Sequence, residues 1–247
     1  MEIKKLSEYT EYVEELPVQF ILSRGQSDDY PLLPSALRRD ISTGTRKYPK
    51  RSIRSFLEQF RINSYQYMDN PWDIKNDVEW MIYAQHYGVP TKLMDFTTSH
   101  ITSLLFAVEK SFQAKEEKDA VVYFLNPYEL NLKNKQQSQI INVSETDKVS
   151  SEGHDGPFAV QGRKINARLN AQKGLFVLFQ DDDEALETLA DEAILRKLTI
   201  RGDATKNILS SLYSMGISFT HIYPELSSVA KDIVMQQDIE DFLREDI

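Results

Sequence analysis

Arg24, Gly25 and Gln26 follow a compact apolar run, Val18 to Leu22, and are the first residues of the chain whose types suit a chemical task. A guanidinium at the end of a strand can hold a phosphate or carboxylate through two parallel N–H bonds. A glycine beside it lets a ligand come close to the backbone. The same residues also fit a structural arginine paired with a core carboxylate, next to an ordinary turn glycine. A second cluster runs from Gln85, His86 and Tyr87 to Asp95, Thr97 and Thr98. Its first members bring donors and acceptors to a helix end. Its last members fall where a strand feeds a helix N-terminus, whose free N–H groups favour anions. The plainer reading is helix capping by Thr97, Thr98 or Ser99, with His86 a satisfied buried histidine. Gln172 is either a polar reader of a ligand or a loop glutamine. Glu225, after Pro224, is either a site carboxylate or an ordinary acid at a helix start.

Several chemistries are excluded. The histidines are His86, His100, His154 and His221, with no His-x-x-x-His pair and no carboxylate at ligand spacing, so no metal site is expected. There is no Walker loop, no Rossmann glycine fingerprint and no nucleophile elbow. Without cysteine there is no thiol nucleophile, disulfide or cysteine-bound zinc.

The 247 residues carry 29 Lys plus Arg against 38 Asp plus Glu, a net charge of −9. That balance argues against a wholly basic DNA-binding surface and leaves room for a local basic cleft. Arg38, Arg39, Arg46, Lys47, Lys50, Arg51 and Arg54 gather early; acids gather at Asp181, Asp182, Asp183 and Glu184, and again near the end. These are either two solvated faces or a basic lip for a polyanionic ligand, turned away from the acidic face. No apolar run is long enough to span a bilayer, and Met1 to Tyr12 lacks the apolar core of a secretory signal. A cytoplasmic protein without membrane contact is expected.

The elements that must position these clusters follow from periodicity. Leu6 to Leu16, Arg51 to Tyr67 and Asp77 to Tyr87 read as helices, the last stopped by Gly88. A further helix holds Leu104, Leu105, Ala107 and Val108, and another spans Asp203 to Met215. Strands are expected at Val18 to Leu22, Leu93 to Phe96, Ala120 to Leu125, Gly174 to Phe179, Leu195 to Ile200 and Phe219 to Tyr223. Asn131 to Gln161 reads as a long polar loop. The order lacks a regular βαβ beat, which favours α+β over a doubly wound sheet.

The four clusters, in this order, resemble the FRG domain, a bacterial and phage family. The resemblance rests on Ser23-Arg24-Gly25-Gln26, on Ala84-Gln85-His86-Tyr87-Gly88-Val89-Pro90-Thr91-Lys92-Leu93-Met94-Asp95-Phe96-Thr97, on Ala171-Gln172-Lys173-Gly174-Leu175-Phe176 and on Tyr223-Pro224-Glu225-Leu226. Ser23 stands where the family has its Phe, Lys92 where it usually has Arg, and Phe96 where it usually has Trp. The resemblance implies one FRG-type domain over residues 1–247, its core about 18–234, with a short N-terminal helix and an acidic C-terminal tail.

More distantly, Arg24-Gly25 and Asp95-Phe96-Thr97-Thr98-Ser99 are similar to the aromatic-Arg-Gly and Ser-Thr-Ser elements of ADP-ribosyltransferases. That resemblance implies an α+β fold of split mixed or antiparallel sheets with flanking helices, and NAD bound as a substrate. Gly25, Gln26, Gln85, Thr97, Thr98 and Gln172 would hold the dinucleotide. Arg24, His86, Asp95 and Glu225 would be catalytic, with Glu225 or Asp95 supplying the expected carboxylate. The implied activity is that of a toxin or anti-phage effector that modifies RNA or protein and is neutralised by an antitoxin partner. The alternative is a non-catalytic FRG module that binds a nucleotide or a partner chain.

Overall fold

The computed structural model describes residues 1–40, 42–68, 70–144, 154–162 and 174–245. The architecture is α+β, built on a mixed eight-stranded sheet. In chain order the elements are β1 (Glu2–Ile3), α1 (Leu6–Glu15), β2 (Leu22–Gln26), α2 (Lys50–Ser64), α3 (Asp77–His86), β3 (Leu93–Thr97), α4 (His100–Val108), β4 (Ala120–Leu125), α5 (Pro127–Lys135), β5 (Ile141–Asn142), β6 (Phe158–Gln161), β7 (Gly174–Leu178), α6 (Leu186–Leu189), β8 (Leu195–Ile200), α7 (Thr205–Ser214), α8 (Phe219–Ile222) and α9 (Leu226–Glu245).

The strand order is β1-β8-β4-β2-β3-β7-β6-β5. β1 with β8 and β5 with β6 are parallel, and the remaining neighbours are antiparallel. β4, Ala-Val-Val-Tyr-Phe-Leu, is buried throughout because both of its faces are covered. Its residues alternate between two cores, as the two-residue period of a strand requires. Val122 and Phe124 pack with α4 and α7, whereas Val121, Tyr123 and Leu125 pack with Met94, Phe96 and Val177 of the neighbouring strands.

A split between two sheets is not what forms. The halves β1-β8-β4-β2 and β3-β7-β6-β5 are stitched into one sheet. The stitch is short, however: β2 and β3 meet at a single residue pair, Ser23 opposite Thr97. From there Arg24, Gly25 and Gln26 continue to pair only with β4.

Other expectations are corrected. Val18 is 85% exposed and lies in a turn closed by Phe20 N–H donating to the Pro17 carbonyl, so the strand starts at Leu22 and carries Ser23 to Gln26 within it. Phe219–Ile222 is a short helix, because the Asp232 carboxylate accepts from the Phe219 and Thr220 amides at its start, both at 2.9 Å. The polar stretch from Asn131 holds the end of α5 and strands β5 and β6, pinned by the Asn131 side chain, which bonds Ala159 O at 3.0 Å and the Ala159 N–H at 2.6 Å. Residues 145–153 of that stretch lie outside the described residues. Of the acidic C-terminal stretch, Asp238, Glu240 and Asp241 belong to the 20-residue helix α9.

The basic and acidic clusters also do not turn away from each other. Arg46 and Lys50 both reach the Asp182 carboxylate, at 3.4 and 2.6 Å, and Lys92 pairs with Asp181 at 3.2 Å. Opposite charges distant in sequence have been folded together.

Candidate functional site

Where β2 and β3 part, a cleft of about 410 Å³ opens, a size within the usual span for small-molecule and cofactor sites. Arg24, Gly25 and Gln26 of β2 line one wall, Asp95, Phe96 and Thr97 of β3 the other, and Gln85 and His86 of α3 approach from the side. The two wall strands are offered by the register of the sheet. α3 is aimed by its ends. Asn76 caps its start, accepting from the Glu79 N–H at 3.0 Å, and Gly88, at φ +86°, ends it in a conformation that favours glycine. His86 therefore sits in the last helical turn, against the edge of the Tyr87 ring.

Arg24 spans the gap between the strands. Its Nη1 donates to the Asp95 backbone carbonyl at 2.7 Å and lies 2.9 Å from Asp95 Oδ2. Its Nε is buried with no hydrogen-bond partner. Gln85 donates to Asp95 Oδ1 at 3.4 Å and accepts from the Thr91 hydroxyl at 2.5 Å. Asp95 sits deep among protein atoms, yet 60% of its side-chain surface faces the open cleft. Depth works against its ionisation; the Arg24 guanidinium, with Arg38 farther off, outweighs that and holds the carboxyl below the usual carboxylate range.

Gly25 has a packing reason for being glycine. A Cβ there would lie 1.8 Å from the Ser103 carbonyl and 2.8 Å from the Ala107 nitrogen, both backbone atoms of α4. Beneath it, Ser23 Oγ stands 2.8 Å from Ser103 Oγ and 2.8 Å from His100 Nδ1. Burial pushes the His100 imidazole below its ordinary pKa, partly offset by the Phe20 carbonyl that accepts from the ring. A neutral ring that donates to Phe20 can accept only at Nδ1, so Ser23 donates to His100 and accepts from Ser103.

The structure brings Arg24, Gly25, Gln26, Gln85, His86, Asp95 and Thr97 to one cleft. It leaves Thr98 exposed and outside the lining, and Thr97 uses its hydroxyl to accept from the Ser99 N–H at 3.0 Å. Glu225 is also exposed and outside the lining; its carboxylate accepts from the Ser227 hydroxyl at 2.7 Å. Gln172 lies outside the described residues.

The cleft includes Tyr30, Phe106, Glu109 and Lys110, which the residue patterns did not single out as site members, together with Arg38 of the early basic cluster at the rim and Tyr223 of the Tyr223-Pro224-Glu225-Leu226 element. Burial pushes the Glu109 carboxyl above its ordinary pKa, against the opposing pull of Lys110 and Lys231. Glu109 follows the last turn of an apolar helix, where an acid carries no local signal of function. Only the close crossing of α4 over β2 puts it in the wall.

Residues 20–116 match the family model of the FRG domain. That stretch runs from the turn before β2 to beyond α4, so the FRG region supplies Arg24, Gln85, His86, Asp95, Thr97 and Glu109. Phe176 and Tyr223 enter the cleft from chain that follows the matched stretch. Neither curated proteins nor solved structures return a match. Among the described residues, no group of three or more His, Asp or Glu is placed to hold a metal ion, and no helix is long and apolar enough to cross a membrane.

Proposed function

We propose that the cleft binds NAD and supports transfer of its ADP-ribosyl group to a nucleic-acid or protein acceptor. The observation that carries this reading is the convergence of Arg24, His86, Asp95 and Thr97 on one cleft between two parting strands. In that reaction the nicotinamide–ribose bond breaks, an acceptor oxygen or nitrogen bonds the ribose carbon, nicotinamide leaves and the acceptor loses one proton. The transition state places positive charge on the ribose, so a fixed anion beside it lowers the barrier. Asp95, held ionised by Arg24, supplies such an anion. His86, at the side of the cleft, takes the acceptor proton. Glu109, with its raised pKa, replaces Glu225 as the second carboxylate. Aromatic rings from Tyr30, Phe106, Phe176 and Tyr223 suit the flat groups of a dinucleotide.

A non-catalytic nucleotide-binding module is the second reading. It is favoured by the Arg24–Asp95 pair, which occupies the guanidinium inside the cleft, and by the packing reason for Gly25. Incubation with NAD labelled on the adenylate, alongside total RNA or lysate, separates the two. Nicotinamide release and label transfer that disappear in Asp95→Asn and His86→Ala support transfer. Tight NAD binding with no release of nicotinamide supports the binding module. A folded protein that neither binds nor cleaves NAD refutes both. The toxin or anti-phage role, and an antitoxin that neutralises it, remain part of the transferase proposal and are tested by growth arrest on expression that Asp95→Asn relieves.

A further inference from the structure

The cleft does not end at its own wall. Ser27, Tyr30 and Lys110 line it and also line a second groove of about 730 Å³. The groove is walled by the segment from Ala107 to Lys118, which leaves the end of α4, and by Thr205 and Lys206 at the start of α7. Lys118 ties this segment back to Asp28 at 3.3 Å, and Lys206 stands 5.7 Å from the centres of the Phe112 and Phe242 rings. Lys110, at the junction, makes no ion pair among the described residues.

We propose that cleft and groove are two halves of one site for an elongated dinucleotide, with Lys110 and Tyr30 at the junction where its bridging phosphates lie. This rests on the NAD reading above and adds where the second nucleoside goes. Lys110, which lines both halves, sets the order. Arg38 at the rim and Lys110 at the junction are cations within reach of a pyrophosphate there, while the groove itself carries Lys115, Lys118 and Lys206 beside Asp28, Glu116 and Glu117. Those acids can accept from ribose hydroxyls, as an acid does in dinucleotide sites. Each half also holds a buried polar atom with no partner: Arg24 Nε in the cleft and Ser111 Oγ in the groove. Buried polar groups are almost always hydrogen-bonded, so an orphan atom in a lining residue of each half suits a site whose walls adjust to a ligand or its water.

Isothermal titration with NAD, nicotinamide mononucleotide and AMP, singly and together, tests the division. The proposal expects nicotinamide mononucleotide and AMP to bind at once without competing. It expects Lys110→Ala to weaken NAD about tenfold or more, the loss of one charge-assisted contact. Ala114→Trp, which fills the groove from an exposed loop position, removes AMP binding while nicotinamide mononucleotide binding persists. Competition of the two mononucleotides for a single site, with NAD still bound, overturns the two-part site and leaves the NAD reading standing. A folded protein, by its thermal melt, that binds none of the three overturns both.

Discussion

Gly25→Ala separates a glycine kept for a ligand from one kept for packing. The new Cβ would sit 1.8 Å from the Ser103 carbonyl oxygen, and real Cβ atoms essentially never come within 3.0 Å of another heavy atom. The obstacle is backbone, so no rotamer change relieves it. α4 is also held against β2 by the hydrogen-bonded Ser23, Ser103 and His100 side chains, which oppose its withdrawal. Overpacking a core costs about 1–3 kcal/mol when side chains can adjust; with rigid partners the upper end, about 3 kcal/mol, is expected. For a chain of this length that is a fall in Tm of roughly 6–12 °C. Gly88→Ala is the control, since nothing crowds it and only its φ of +86° resists a side chain; about 1–2 kcal/mol is expected there. Thermal and urea unfolding by far-UV circular dichroism measure both. A Gly25→Ala protein that melts with the wild type but has lost NAD binding would refute the packing argument and return the glycine to the ligand.

Three further outcomes follow from the site and its supports. Asp232→Ala strips the acceptor from the Tyr213 hydroxyl and from the Phe219 and Thr220 amides; a loss of about 3 kcal/mol in urea unfolding is expected, and an unchanged midpoint contradicts the clamp. Burial opposes ionisation of Asp232 and the Thr220 donors outweigh it, so its folded pKa is depressed; its contribution is present above the unfolded carboxylate pKa, about 4, and disappears as pH falls below it. Asp95→Asn acts in the same window, because Asp95 is depressed too, and should flatten the acid limb of a Tm-against-pH curve. His100 acts in the same direction but at a higher pH. Its buried ring is neutral and its folded pKa lies below the unfolded value of about 6.5, so stability falls as pH drops through that value, and His100→Asn should remove this part of the slope.

Much of the scaffold was legible in the chain. Ala120–Leu125 and Leu195–Ile200 came out at their expected bounds, the first because an unbroken, β-branched apolar run has few other ways to bury itself, the second with Leu195, Leu198 and Ile200 buried and Arg196, Lys197 and Thr199 left more open. Gly88 ended α3 as expected, since that position requires a positive φ. The local pattern misled where a distant residue decided the conformation. Phe219–Ile222 reads as a strand by composition and is a helix because Asp232 caps it from α9. Val18 to Leu22 reads as a strand and is mostly turn, because the register with β4 places the pairing from Leu22 onward.

The candidate site shows the same division. The presence of a guanidinium, an imidazole, a carboxylate and hydroxyls in two short stretches was open to inspection, because residue type sets what a side chain can donate or accept. Their meeting was not. It depends on β2 and β3 touching at Ser23 and Thr97 and then parting, and on α4 lying close enough to β2 that Gly25 has no room for a side chain. The same crossing brings in Glu109 and leaves out Glu225, although nothing in the neighbours of either acid distinguishes them. Proximity between residues far apart in the chain is set by packing of whole elements, and that information is spread over the entire core rather than written beside the residues it brings together.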